Sequence, residues 1–418
     1  MLIFAIHKNK MKQIVSIFIM FLSLLNYSQN ITVDSQTYSP QQLIENILID
    51  SDCISDIVVT NVVGGNFNGA DQSYGFFDAT GTTFPFQSGI VLSTGRLNNV
   101  PGPNTNLSDD DATNWAGDAD LEFALNESDT YNATILEFEF SSAASQVSFK
   151  YLFASEEYQE GNSSSCQYSD LFGFLIKPIG QNQYQNIALV PNTNTPVKVT
   201  TVTPGVSGSC PPENETYFGS FNNNNAPINF NGQTDILTAT ANIVPNVTYH
   251  VKLVIADENN YRYDSAVFLE AGSFEMSSDL GPNLLVATNN ALCEGETLEL
   301  NAYQDGQNTY DWYRDGVLVQ GAPGCGTCGS YTVTEPGTYT VEVTLINNCV
   351  SYGEVVIEYA PVPVGVDSVL VECDSNQDGL TNYNLFNASF DLTNGNQNIY
   401  VSDFFLSETD ALANSNPI

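Results

Sequence analysis

Apolar and polar positions alternate along much of the chain. In Leu136-Glu137-Phe138-Glu139-Phe140 the alternation is strict. Val147, Phe149, Tyr151 and Phe153 share one parity in the next run, and Tyr249, Val251, Leu253 and Ile255 share one later. A period of two puts alternate side chains on one face of a sheet. Clusters of Gly, Asn and Pro separate the runs, so the pattern predicts an all-β chain. Its first part is expected to be a jelly-roll-like β-sandwich with one face of each sheet buried. One short helix interrupts it. Ser39 is placed as N-cap, Pro40 at the first helical position and Gln42 at the third, before Leu43, Ile44, Ile47 and Leu48 at helical spacing.

A boundary is expected near Ser277-Ser278-Asp279-Leu280-Gly281-Pro282-Asn283. Residues 281–360 have the length and pattern of an immunoglobulin-like sandwich. Cys293 precedes a strand, Trp312 is a core candidate, Asp315-Gly316 is a hairpin turn, and Tyr339 stands where a tyrosine corner would be, with Cys349 beyond it. From Pro361 a further β module is expected over residues 361–418 and on past the last residue. The expected units are therefore 1–28, 29–276, 281–360 and 361–418, in line with about 150 residues per domain.

The first 28 residues read as a secretory signal. Lys8, Lys10 and Lys12 precede an apolar run from Ile14 to Leu25, which is too short to span a bilayer, and Ser28 lies at the cut. Three of the ten basic residues thus leave with the signal, so 7 face 48 acidic ones in the mature chain. That balance repels phosphate backbones and anionic membranes, which excludes nucleic acid as a partner. A single histidine, His250, remains, and with it little room for triad or zinc chemistry. Hydrophobic residues at 42% still allow real cores.

Eight cysteines suit an exported chain. Cys293 and Cys349 bracket the second sandwich and are expected to pair. Cys325 and Cys328 form a local bridge, Cys166 pairs with Cys210 by proximity, and Cys53 and Cys373 are left over.

Eight segments in order resemble the bacterial choice-of-anchor L domain family. They are Ser88–Gly95 (SGIVLSTG), Gly117–Leu121 (GDADL), Ile135–Phe140 (ILEFEF), Phe153–Tyr158 (FASEEY), Asp170–Phe174 (DLFGF), Asn186–Pro191 (NIALVP), Tyr249–Asp257 (YHVKLVIAD) and Asp264–Phe274 (DSAVFLEAGSF). The resemblance implies the N-terminal domain of an exported surface protein whose anchor lies C-terminal. The later units look like modules of long Bacteroidota proteins that end in a type IX secretion sorting domain. The family implies location and architecture but no defined activity.

Glu156-Glu157 invites a glycosidase reading, since two carboxylates facing one sugar can cleave a glycosidic bond. Neighbouring strand residues point to opposite faces, however, so the two diverge. Glu157 continues the inward parity of Val147–Phe153, and Asp257 continues that of Val251–Ile255. Bare inward charges are costly. Few basic side chains are available, so calcium is the candidate counter-ion, with Glu157, Asp170, Asp257 and Asp264 as its ligands. Asp109, Asp110, Asp111, Asp118 and Asp120 are further candidates, set against a solvated loop. Asp374, Asn376, Asp378 and Gly379 match the start of a calcium loop, but Leu385 stands at its twelfth position in place of Glu. The expected protein is non-enzymatic, exported and surface-bound. It would adhere to a glycan or protein ligand and have no membrane span in the mature chain. The competing expectation is an extracellular carbohydrate-active enzyme or a calcium-dependent lectin, with Tyr158, Tyr261 and Tyr263 as exposed aromatics.

Overall fold

The computed structural model describes residues 30–418 except 50–52, 70, 289, 305, 322–324, 346–347, 361–364 and 397–398. The predicted signal and the start of the third unit at Pro361 lie outside the described residues. Among those described, no helix is long and apolar enough to cross a membrane. The chain forms two compact units. One holds the residues up to Pro282 with Leu300–Tyr331 and Tyr339–Val355, and the other holds Asn283–Glu299, Thr332–Thr338 and Val356–Ile418.

The first unit opens with β1 (Thr32–Asp34), α1 (Pro40–Gln42), β2 (Ile54–Val63), β3 (Tyr74–Asp78), β4 (Ser88–Ser93) and α2 (Ala119–Leu125). The long strands β5 (Thr130–Ser142) and β6 (Gln146–Ser155) follow, then β7 (Leu171–Pro178) and β8 (Gln185–Asn186). Next come β9 (Phe218–Phe221), β10 (Gly232–Thr234), β11 (Leu237–Asn242), β12 (Thr248–Glu258), β13 (Ser265–Glu270) and β14 (Glu275–Ser277). One sheet has the order β2-β5-β12-β7-β8. In the other, β1-β3-β4-β13-β6-β14 are neighbours, while β10 and β11 also pair with β6. The sheets meet through aromatic side chains. Phe149 of β6 and Phe174 of β7 have ring centroids 4.3 Å apart, and Tyr151 and Phe174 5.1 Å apart. These are the inward-parity positions that alternation predicts.

The outer faces differ from that expectation, because part of each sheet is buried on its outer side as well. Leu152 and Ala154, on the opposite parity of β6, join Phe77, Phe84, Phe86, Phe230 and Phe268 in a second core. On the other sheet Leu121 and Leu125 of α2 cover Ile135, Leu171, Leu175, Val254 and Ala256. Connecting segments fold over the sandwich, and alternation within a strand cannot reveal them. α1 has the predicted capping box of Ser39 and Gln42 but lasts three residues before a wider π-helical turn, Leu43–Ile49.

Further on lie β15 (Leu292–Cys293), β16 (Leu298–Asn301), β17 (Thr309–Arg314), β18 (Val317–Gln320), β19 (Ser330–Val333), β20 (Gly337–Thr344), β21 (Val350–Ile357) and β22 (Tyr359–Ala360). The predicted break after residue 276 does not end the sheet, since β14 pairs in parallel with β21, and β20, β17 and β18 continue the order. Trp312 is fully buried, and its Nε1 donates to the Cys328 carbonyl at 2.8 Å. Cys349 bonds to Cys53, not to Cys293, which is a free, exposed cysteine like Cys373. The reason is local: β15, which carries Cys293, pairs with β22 in the second unit, whereas Cys349 and the start of β2 belong to the first. The segment thus lacks the cysteine pair on which the immunoglobulin comparison rested. Cys166–Cys210 and Cys325–Cys328 are bonded. The third module, expected to be β, has no strand among its described residues. It carries short helices at Ser389–Leu392 and Glu408–Leu412.

Candidate binding site at one end of the sandwich

Antiparallel pairing brings the ends of several distant segments to one end of the first sandwich. Ser155, which closes β6, lies opposite Ser265, which opens β13, and Ala266 lies opposite Ser93, which closes β4. On the facing sheet Ala256 of β12 pairs with Leu171 at the start of β7, and Asp257 pairs with Tyr131 of β5. Glu156, Glu157, Asp170, Asp257 and Asp264 therefore gather at one edge although they span more than a hundred residues of sequence.

All five are buried, with Asp257 and Asp264 at 0% exposure and Glu157 at 5%. The sequence places Glu156 facing outward, yet it too is buried. The chain turns after Ser155, and Glu156 accepts a hydrogen bond from the Ser108 backbone N–H at 2.8 Å. Ser108 Oγ also donates to Asp264 Oδ2 at 2.6 Å, so the Ser108–Asp110 segment covers this edge. Glu157 Oε2 accepts from the Asp170 N–H at 2.8 Å, and Asp170 Oδ2 accepts from Ser265 Oγ at 2.6 Å. The adjacent glutamates thus turn to different partners.

Asp264 packs so closely on Gly95 that a Cβ there would stand 1.9 Å from Asp264 Oδ2, which gives the last residue of the Ser88–Gly95 segment a steric reason to be glycine. Neither carboxylate oxygen of Asp257 has a hydrogen-bond partner. The side chains of Thr94 and Asn132 nevertheless stand near enough to ease its charge.

The described ion pairs use Arg96, Lys150, Lys198, His250, Lys252 and Arg262 on other acids, and none reaches these five. Burial accordingly pushes Glu156 up to about 7, Glu157 up to about 8 and Asp264 up to about 7. Asp170 and Asp257 are raised well above the usual carboxylate range, first by burial and then by neighbouring charge, chiefly that of Glu157 on Asp170 and that of Asp264 on Asp257. The four predicted calcium ligands are therefore brought to one edge. Among the described residues, however, no three acidic, histidine or cysteine side chains surround a common point as metal ligands would.

Of the other predicted acids, Asp109, Asp110, Asp118, Asp120, Asp374 and Asp378 have partners of their own. Asp109 is paired with Arg262 at 2.7 Å and Asp110 with Arg96 at 3.3 Å. Asp118 and Asp120 both bind Lys252. Asp374 accepts from the Gly379 N–H at 2.7 Å, and Asp378 from the Leu380 N–H at 2.8 Å, so that loop closes on itself.

Above the buried acids lies a cleft of about 260 Å³, between the β6–β7 and β12–β13 connections. Glu157, Gln159, Ser164, Tyr168, Asn260 and Tyr263 line it. The Cys166–Cys210 bridge ties down the first of these connections. Tyr168 is 46% exposed and Tyr261 51%. Tyr158, predicted as an exposed aromatic, is instead 1% exposed, and its hydroxyl donates to the Val202 carbonyl at 2.9 Å. Tyr263 has φ +67°, in the left-handed region. A bulky residue held there costs on the order of 1–2 kcal/mol, a strain that concentrates at functional sites. Sequence reasoning missed Tyr168, although its place between the inward Glu157 and Asp170, two residues after Cys166, was a usable signal.

No curated protein matches the chain. The family model described as the choice-of-anchor L domain matches residues 32–275, the segment that builds the sandwich and both walls of the cleft. The chain therefore belongs to the choice-of-anchor L domain family, which marks it as a surface-associated or exported protein.

Proposed function

We propose that this protein is an adhesive surface protein that binds an extracellular glycan in the cleft of its first sandwich and does not cleave it. The observation that carries the reading is the lining. Tyr168 and Tyr263 offer aromatic faces, while Gln159, Ser164, Asn260 and Glu157 offer both donors and acceptors. Apolar surface with a few convergent polar groups is the usual make-up of a small-molecule site. Sugar rings present the matching combination of C–H faces and hydroxyl edges. The strain at Tyr263 supports the same place.

The competing reading is hydrolysis, which needs two carboxylates across the scissile bond. Of the six lining side chains only Glu157 is acidic, and Glu156 turns away to Ser108. A glycan array probed with the full chain is the test, with a reducing-sugar assay run on every glycan retained. Retention without product supports adhesion. Release of product supports the hydrolase, and an array with no signal removes the glycan reading.

A further inference from the structure

The geometry points to a divalent cation of the calcium class at the carboxylate of Asp257, with Asp264 as a second acidic ligand and the side chains of Thr94 and Asn132 beside it. This goes beyond the glycan reading and does not depend on it. The carrying observation is that both oxygens of a fully buried carboxylate lack a hydrogen-bond partner. Buried polar atoms are almost always satisfied, and a buried carboxylate least tolerates being left alone.

A proton is not a sufficient answer. A neutral carboxyl would still carry an O–H and a C=O, and only the side chains of Thr94 and Asn132 stand near enough to meet them, neither within hydrogen-bond geometry of the two oxygens. A hard cation engages both oxygens at once, at about 2.3–2.6 Å. It would also offset the neighbouring charges, since Asp264, Glu157 and Asp170 all bear on Asp257 electrostatically.

Among the described residues no third acidic, histidine or cysteine side chain joins Asp257 and Asp264 at one point, which sets the kind of site. Calcium takes six to eight oxygens, so neutral side chains, backbone carbonyls and water must complete the shell. With so few charged ligands the affinity belongs to the extracellular range of roughly 10⁻⁴–10⁻³ M. Thr94 Oγ1 is already oriented, because it accepts from the Ser265 N–H at 2.9 Å, and Asn132 is held by donating to the Asp110 carbonyl at 3.3 Å. Each is fixed by one bond and has oxygen lone pairs left to coordinate.

The test uses the full purified chain, stripped with chelator and exchanged into metal-free buffer. Melting is followed in calcium, in magnesium and in sodium of matched ionic strength. Calcium at tenfold its Kd should raise the melting temperature by about 3–6 °C, and sodium should not. Asp257→Asn should abolish that calcium response while melting in chelator no lower than the parent, because the variant removes a buried anion. Asp235→Asn, at an exposed acid outside the cluster, should keep the response. If Asp257→Asn does not fold, Asp264→Asn is read in the same way. A parent protein indifferent to calcium overturns the proposal, and so does a response that survives in both cluster variants.

Discussion

Replacing Lys252 with Met tests how far one cation supports the sandwich. Lys252 is 5% exposed in the middle of β12. Its Nζ lies 2.9 Å from Asp118 Oδ2, 2.5 Å from Asp120 Oδ2 and 3.5 Å from Glu137 Oε1. Asp118 is also the N-cap of α2, accepting from the Leu121 N–H at 2.8 Å, so the lysine joins the covering helix to the sheet beneath it. Methionine keeps most of the volume and removes the charge. Asp120, about half exposed, can hydrate, but the side chains of Asp118 and Glu137 are only 9% and 13% exposed and cannot. Breaking a buried ion pair from one side costs about 3–5 kcal/mol. For a unit of this size that corresponds to a melting temperature lower by roughly 6–20 °C at neutral pH. Adding Glu137→Gln to the variant should recover part of the loss by removing one stranded charge. Calorimetry of the three proteins decides it. A loss below about 1 kcal/mol would show that these acids reach water and that the ion-pair account of α2 docking is wrong.

Three further outcomes follow from the same structure. Glu137 is held down to about 2, because hydrogen bonds from His250 and Asn61 and the charge of Lys252 outweigh its burial. Its contribution is therefore present above its ordinary value of 4.5 and lost as pH falls from there toward 2. The stability difference between parent and Glu137→Gln, measured by denaturant titration, should be about 2–3 kcal/mol at neutral pH and shrink below 4.5. Cys53→Ser should destabilise the first unit by up to about 5 kcal/mol, because its bond to Cys349 closes a very long loop, and Cys293→Ser should change little. Tyr263→Asn should leave the melting temperature unchanged or raise it by a few degrees, because asparagine tolerates a positive φ more readily than tyrosine.

Strand character and inward parity were legible because they are local. Val147, Phe149, Tyr151 and Phe153 do form the inner face, but Glu157 lies in the turn after β6 and Asp257 follows a register shift near the end of β12, so strand parity does not place either carboxylate. The meeting of Glu157, Asp170, Asp257 and Asp264 could be anticipated, since each flanks or ends a patterned run. The partner of Glu156 and Asp264 could not, because Ser108 arrives from a connection whose path no periodicity encodes. The same limit hid the second core around Phe84 and Phe268, where a loop covers an outer sheet face. Cysteine pairing failed where it relied on a module boundary. The sheet continues through β14 into β21, and Cys349 meets Cys53 across 296 residues. Tyr158 was misjudged for a related reason, since nothing in its neighbourhood announces that Val202 and Phe218 will enclose it.

The claim that the cleft is a glycan-binding site is tested most directly by titration calorimetry. The strongest glycan from the array is titrated into the full chain and into its Tyr168→Ala and Tyr263→Asn variants. The account predicts one site per chain in the parent and at least a tenfold loss of affinity in each variant, with melting temperatures essentially retained. Equal affinity in all three proteins would place recognition elsewhere on the molecule and contradict it.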